Sequence, residues 1–177
     1  GGAATVILED YEHAVKRGAP IIAEIVSWGF SGNGDHISTP NVAGPARSLQ
    51  LCIEHSGLDD LRKIGYVNAH ATSTPAGDGP EALAIAQVFG DYRVPVTSTK
   101  SQTGHEMWMA GASEMIYSTL MMKNGFIAGN INFENPDENT AKINVIPETI
   151  EQPFDMFIEN SFGFGGTNST ILVKNYK

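Results

Sequence analysis

Cysteine is almost absent from this sequence: Cys52 is the single one. One thiol excludes an intrachain disulfide and a multi-cysteine zinc cluster, and it is compatible with a reducing compartment. Positive charge is scarce as well, with 11 Lys and Arg against 20 Asp and Glu and a net charge of −9. The few basic residues are scattered, which excludes a reader of the phosphate backbone, since such proteins cluster their cations on one face. No apolar run approaches the ~20 residues of a membrane helix. Gly1 to Asp10 has neither the basic start nor the apolar stretch of a signal peptide, so the expectation is a cytoplasmic protein. A Gly-x-Ser-x-Gly elbow is missing, which removes the usual mark of a serine hydrolase. Internal repeats and low-complexity tracts are missing too.

What remains describes a globular chain rich in turns: 41% hydrophobic and 18% charged residues, with 19 glycines and 9 prolines. At 177 residues it is long enough for one domain. A chain of that size buries roughly 70% of its unfolded surface.

The chain opens on Ala3 to Leu8, an apolar run with β-branched residues that predicts a buried strand; its abrupt start is read as a cut. A short helix follows around Tyr11 to Arg17, a strand over Ile21 to Val26, and a loop with three glycines and a proline from Gly29 to Pro40. Pro45 to Ser56 predicts an amphipathic helix that contains Cys52 as a small buried apolar residue, not a nucleophile. Strand and helix then alternate: strand Ile64 to Asn68, helix Pro80 to Phe89, strand Val94 to Ser98, helix Met107 to Met122, and strands Met156 to Glu159 and Thr170 to Lys174. Such alternation predicts a largely parallel sheet joined by right-handed crossovers. The helix from Met107 is apolar on nearly every face and carries the small residues Ala110 to Ser113, which predicts a helix sandwiched between two layers.

Three polar clusters follow predicted strands: Asn68 to Pro75, Ser98 to His105, and Asn160 to Asn168. Ligands of open α/β sheets bind at the carboxyl ends of strands, so parallel pairing would bring His70, Lys100 and His105 to one rim. His13 and His55, on helix faces, read as structural groups, and so does His36 in its loop. His70 and His105 differ, because each sits among hydroxyl and glycine residues with a lysine nearby. The charge of Lys100 and the positive end of the following helix would hold His105 neutral. A neutral imidazole donates one hydrogen bond without first losing a proton, and two of them suit a developing enolate. Phe162 to Gly166 admits backbone conformations closed to other residues, so its N–H groups could approach a reacting atom. A zinc site is disfavoured, since neither Asp78 nor Glu114 is strongly placed as a third ligand. Pro75 to Asp78 reads equally well as a turn and cap.

Taken together, His-Ala-Thr-Ser-Thr-Pro-Ala-Gly-Asp from His70, Ser-Thr-Lys-Ser-Gln-Thr-Gly-His from Ser98, and Asn-Ser-Phe-Gly-Phe-Gly-Gly-Thr-Asn from Asn160 resemble the elongating β-ketoacyl-acyl-carrier-protein synthases, types I and II. The resemblance runs over essentially all of residues 1–177, including Glu9 to His13, and covers less than half of a family member. It implies the C-terminal half of a thiolase-like α/β fold, a mixed, largely parallel sheet with a buried central helix, completed by an N-terminal half that this chain lacks. His70 and His105 match the histidines of the family's Cys-His-His triad, Lys100 its lysine, and Glu114 the glutamate that meets that lysine. Thr72 and Thr74 match hydroxyls that hold the phosphopantetheine arm, and Ser38 corresponds to another. Phe164 matches the gating phenylalanine, whose N–H joins the oxyanion hole. The resemblance also implies a homodimer, acyl-carrier protein as partner, substrates carried on its phosphopantetheine with no separate cofactor, and a nucleophilic cysteine in the absent half. A polyketide ketosynthase or a non-catalytic chain-length-factor subunit remains the alternative. One departure stands out: where the family has Leu-Gly-Ala-Ala-Gly after the histidine, this chain has Glu106-Met107-Trp108-Met109-Ala110-Gly111.

Overall fold

The structure is a computed structural model that describes residues 2–177. In chain order it contains α1 (Tyr11–Lys16), β1 (Ala23–Gly32), α2 (Ala43–Ser56), β2 (Tyr66–Asn68), α3 (Pro75–Phe89), β3 (Pro95–Thr97), α4 (Lys100–Thr103), α5 (Ala110–Asn124), β4 (Phe126–Ile127), β5 (Asn144–Val145), β6 (Ile150–Glu151), β7 (Met156–Gly163) and β8 (Thr167–Asn175). The main sheet has six strands in the order β1-β8-β7-β2-β3-β5. β7, β2, β3 and β5 pair in parallel, while β8 runs antiparallel to both β7 and β1. β4 and β6 form a small separate ribbon.

Successive residues of a strand face opposite sides, and here each side meets a different apolar layer. Val67, Ile158 and Leu172 pack with Leu49 of α2 and Ile85 of α3. Their neighbours Tyr66, Phe157 and Val173 pack with Met121 and Met122 of α5. A sheet covered on both faces explains why the central strands read as continuous apolar runs. No helix among the described residues is long and apolar enough to cross a membrane.

Several expected elements shift. Ala3 to Leu8 is not a strand but extended coil without ladder partners, with Ile7 87% and Leu8 70% exposed, because no neighbouring strand edge is offered to it. β1 runs on through Gly32, well into the expected loop. Gly29 makes this possible: β1 crosses α2 so closely that a Cβ there would lie 1.9 Å from the Ser48 carbonyl oxygen. α3 begins at Pro75, earlier than expected, since Thr74 accepts from Gly77 N and Pro75 sits at the first turn, where a missing N–H costs nothing. The segment from Met107 is a 3₁₀ turn before α5 proper. α5 is not sandwiched. It buries Ser113, Glu114, Ser118, Met121 and Met122 against the main sheet and leaves Ile116 and Leu120 exposed, so among the described residues no second layer covers its outer face.

Candidate active site

The parallel neighbours β7, β2 and β3 point to the same rim; the clusters from Asn68 and Ser98 leave the sheet there, whereas β7 runs on through Asn160 to Gly163, past the expected strand end at Glu159. Just past β2, the backbone N–H groups of His70 and Ala71 donate to the two carboxylate oxygens of Glu81 on α3, at 2.9 and 2.8 Å. Asn160 Nδ2 of β7 donates to the same carboxylate at 3.1 Å. Burial pushes Glu81 up against the pull of these three donors, and its carboxyl group in turn fixes the course of the chain at His70.

His105 arrives from the other side, after β3, the short helix α4 and Gly104. Its Nδ1 accepts from the backbone N–H of Met107 at 3.2 Å, which leaves the proton of the neutral ring on Nε2. The His70 and His105 ring centroids lie 5.4 Å apart at an interplanar angle of 87°. Burial lowers the pKa of His70 to about 3, helped by the charges of Lys100 and His105. Burial also lowers His105, with Lys100 as the second cause. The expected effect of Lys100 is present on both rings, but desolvation leads it.

Beneath the pair lies a buried polar network. Lys100 Nζ donates to Glu114 Oε1 at 2.5 Å, and Thr99 Oγ1 donates to the same oxygen at 3.4 Å. Asn68 links the strands: its Nδ2 donates to Glu159 Oε2 at 2.8 Å, and its Oδ1 accepts from Thr99 N at 3.2 Å. Ser161 donates to Glu159 Oε1 at 3.3 Å. Burial pushes Glu114 up against the pull of Lys100. Burial and the charge of Glu114 push Glu159 well above the usual carboxylate range. One ammonium cannot neutralise two buried carboxylates, so Glu159 is the one that keeps a proton.

The outer residues are more loosely arranged. Thr72 and Thr74 hydroxyls lie 3.2 Å apart at the mouth of the His70 loop. Phe164 projects from the turn between β7 and β8 and is 83% exposed, with Gly165 and Gly166 at φ of 84° and 76° completing the turn. It is Phe162, two residues earlier, whose ring packs on His70 at 6.0 Å between centroids. Ser38 is exposed and bonds His36 Nδ1 at 3.2 Å. Its loop is tied to the hairpin turn through Gly165 N donating to Ile37 O at 2.8 Å. The structure thus brings His70 to His105 and Lys100 to Glu114, and leaves Thr72, Thr74, Phe164 and Ser38 on the more exposed segments beyond them.

Sequence reasoning missed Glu81 and Glu159, and it placed Asn68 and Phe162 in the polar clusters without giving either a role of its own. Two of them carried a signal: Glu81 shares a helix face with buried Ile85, and Glu159 continues the fully buried run Phe157-Ile158. A charge at such a position must have a partner, which marks it as part of a site or a network.

Comparison with known proteins agrees with this geometry. Residues 22–134 match the family described as beta-ketoacyl synthase, C-terminal domain. The 3-oxoacyl-[acyl-carrier-protein] synthase 1 of Escherichia coli (strain K12) is 43% identical over 177 residues; the alignment takes in 100% of this chain and 43% of that protein. The chain therefore spans less than half the length of this curated relative. Among solved structures, a beta-ketoacyl synthase from Burkholderia phymatum STM815 superposes with a TM-score of 0.90 at 38% identity, over 96% of this chain and 41% of that one. A type II polyketide acyl-carrier protein in complex with its ketosynthase bound to the hexaketide superposes with a TM-score of 0.87 at 29% identity, over 96% and 42%.

Proposed function

Because the chain belongs to the β-ketoacyl synthase family as its C-terminal domain, we propose that it is the enolate-stabilising half of a 3-oxoacyl-[acyl-carrier-protein] synthase that elongates fatty acids. The observation that carries this reading is the pair of neutral imidazoles, His70 and His105, facing each other at 5.4 Å.

The reaction joins an acyl group, held as a thioester on a cysteine of the other half, to malonyl-acyl-carrier protein. The bond from the malonyl α-carbon to its carboxylate breaks, carbon dioxide leaves, and the electron pair moves toward the thioester carbonyl oxygen as an enolate. His70 and His105 each offer one N–H to that oxygen, His105 through Nε2; losing one such donor typically costs about 10²- to 10³-fold in rate. The enolate carbon then attacks the acyl thioester and expels the cysteine thiolate. Two easier steps replace one difficult one. Lys100 favours the neutral rings through its charge and is itself held by Glu114. Thr72, Thr74 and Ser38 take the phosphopantetheine arm at the opening, where binding energy remote from the reacting carbon positions it. Phe164, on the hairpin turn, gates that opening and lends its N–H to the thioester oxygen of the acyl-enzyme. No separate cofactor takes part.

The reading includes acyl-carrier protein as partner, an upstream half that carries the nucleophile, and a cytoplasmic homodimer of such completed subunits. Polyketide ketosynthases share the fold, as the acyl-carrier-protein complex illustrates, but at 29% identity against 43% for the fatty-acid enzyme. The test is condensation by the full-length protein: carbon dioxide released from malonyl-acyl-carrier protein in proportion to the β-ketoacyl product. A full-length enzyme that becomes acylated yet releases no carbon dioxide would refute the assignment.

A further inference from the structure

The stretch after His105 departs from the family pattern, and the structure gives that departure a task. Glu106 turns back onto α5: its Oε2 accepts from Ser113 Oγ at 2.5 Å, and its Oε1 accepts from Tyr117 OH at 3.2 Å. Both donors sit on the inner turns of the helix, with Ser113 buried and Tyr117 half-buried. The next residue, Met107, has φ +57°, a left-handed conformation that side chains other than glycine and asparagine rarely hold without outside support. The Met107 N–H itself is aimed at His105 Nδ1 by the backbone of Glu106, with φ −79° and ψ 13°. Beyond it, Trp108 is 97% exposed and supplies no packing within this chain to hold the turn.

We infer that Glu106 is the positioning residue of His105: clamped by Ser113 and Tyr117, it fixes its own backbone turn, so that the Met107 N–H occupies Nδ1 and Nε2–H is presented to the substrate oxygen. Glu106 does not touch substrate. It acts through the backbone of the next residue, and the two hydroxyls of α5 transmit the rigidity of the helix to the ring. A carboxylate suits the task because it accepts from two hydroxyls at once, which an amide oxygen alone does less well and an alanine cannot do. Burial and the bond to Glu106 push the Tyr117 phenol up, so it stays a donor across the working pH range.

This inference rests on the proposed function, and its test separates the two. The experiment uses the full-length enzyme and its Glu106→Ala, Glu106→Gln and Tyr117→Phe variants. Three quantities are read on each: acylation of the nucleophile, carbon dioxide release from malonyl-acyl-carrier protein, and hydrogen exchange of the Met107 amide. Glu106→Ala is expected to slow decarboxylation about 10- to 100-fold, the scale of a catalytic group displaced by about an ångström. Acylation and the KM for malonyl-acyl-carrier protein are expected within about threefold of wild type, because the clamp serves the ring and not the binding of the arm. The Met107 amide should exchange at least about tenfold faster. Glu106→Gln and Tyr117→Phe should fall between wild type and alanine, Gln keeping one acceptor and Phe removing one donor. Unchanged decarboxylation together with unchanged Met107 exchange overturns the inference. If Glu106→Ala does not fold, unchanged values for both remaining variants overturn it. If the wild-type enzyme condenses nothing, the functional reading fails while the exchange of Met107 still decides whether Glu106 holds the turn.

Discussion

Lys100 Nζ and Glu114 Oε1 lie 2.5 Å apart, with side chains 4% and 0% exposed, close enough to the histidines for the Lys100 charge to act on both rings. A pair so enclosed is costly to break from one side, because the survivor is left as an uncompensated buried charge. Lys100→Met and Glu114→Ala should each destabilise the full-length enzyme by roughly 3–5 kcal/mol. Denaturant unfolding of the single variants checks this. A loss below about 1 kcal/mol for both would show that water reaches the pair.

Glu159 should behave in the opposite way. Held protonated in the fold, it ionises near pH 4.5 once unfolded, so the unfolded state sheds a proton that the native state keeps. Its contribution to stability is therefore complete below that pH and declines as pH rises, by up to about 1.4 kcal/mol per unit. Glu159→Gln keeps the shape and the link to Asn68 without the titration. Measured against wild type from pH 5 to about 8, the variant should gain relative stability as pH increases. A constant difference would mean that Glu159 is ionised in the fold.

The histidines make a prediction about rate. His70 is lowered to about 3 and burial also lowers His105 below its ordinary value, so both rings are expected to be uncharged at neutral pH. Decarboxylation by the full-length enzyme should show no inflection near pH 6.5 that disappears in His70→Ala or His105→Ala. His70 also carries an acid sensitivity: it is neutral when folded, and the unfolded ring gains a proton below about pH 6.5, so stability is lost as pH falls from there toward about 3. A pH–rate profile with a histidine inflection would place a charged ring in the mechanism.

Glu81 positions the His70 loop through two backbone N–H groups. Glu81→Ala leaves both donors without their acceptor, and each unmet buried group costs about 1–3 kcal/mol. Loss of stability should therefore be accompanied by a fall in decarboxylation, because the backbone at His70 is released. Thermal unfolding and carbon dioxide release measured on one preparation would reveal any separation of the two.

How much of this could be read from the residues differs by layer. The strand ends were legible because β2 and β3 are short, fully buried and followed at once by polar clusters, so parallel pairing alone brings His70, Lys100 and His105 to one rim. The support beneath them was not. Glu81 meets Asn160 across 79 residues of sequence and Asn68 meets Glu159 across 91, separations at which no local pattern reports the partner. The apolar character of α5 was plain, but periodicity cannot tell a helix flanked by two layers from one whose second face is left open, as Ile116 and Leu120 show. Ala3 to Leu8 misled for a similar reason: β-branched composition marks a segment able to pair, and pairing requires an edge.

The last prediction concerns the one thiol. Cys52 lies on α2 with no exposure, packed into the cluster with Leu49 and Val67, and burial pushes its pKa up. A nucleophilic cysteine needs the reverse, a reachable sulfur in surroundings that favour the thiolate. Cys52→Ala in the full-length enzyme should therefore leave acylation and condensation within about twofold of wild type, at a cost of about 1 kcal/mol for the lost packing. Conversely, residues 1–177 alone, supplied with acyl- and malonyl-acyl-carrier protein, should yield no β-ketoacyl product, because on the proposed function the acyl chain is carried by a cysteine and Cys52 is buried. Mass spectrometry of the isolated chain after incubation with an acyl donor is the direct check. An acyl group found on Cys52 would mean that α2 opens away from β1, and would reassign the nucleophile to this half.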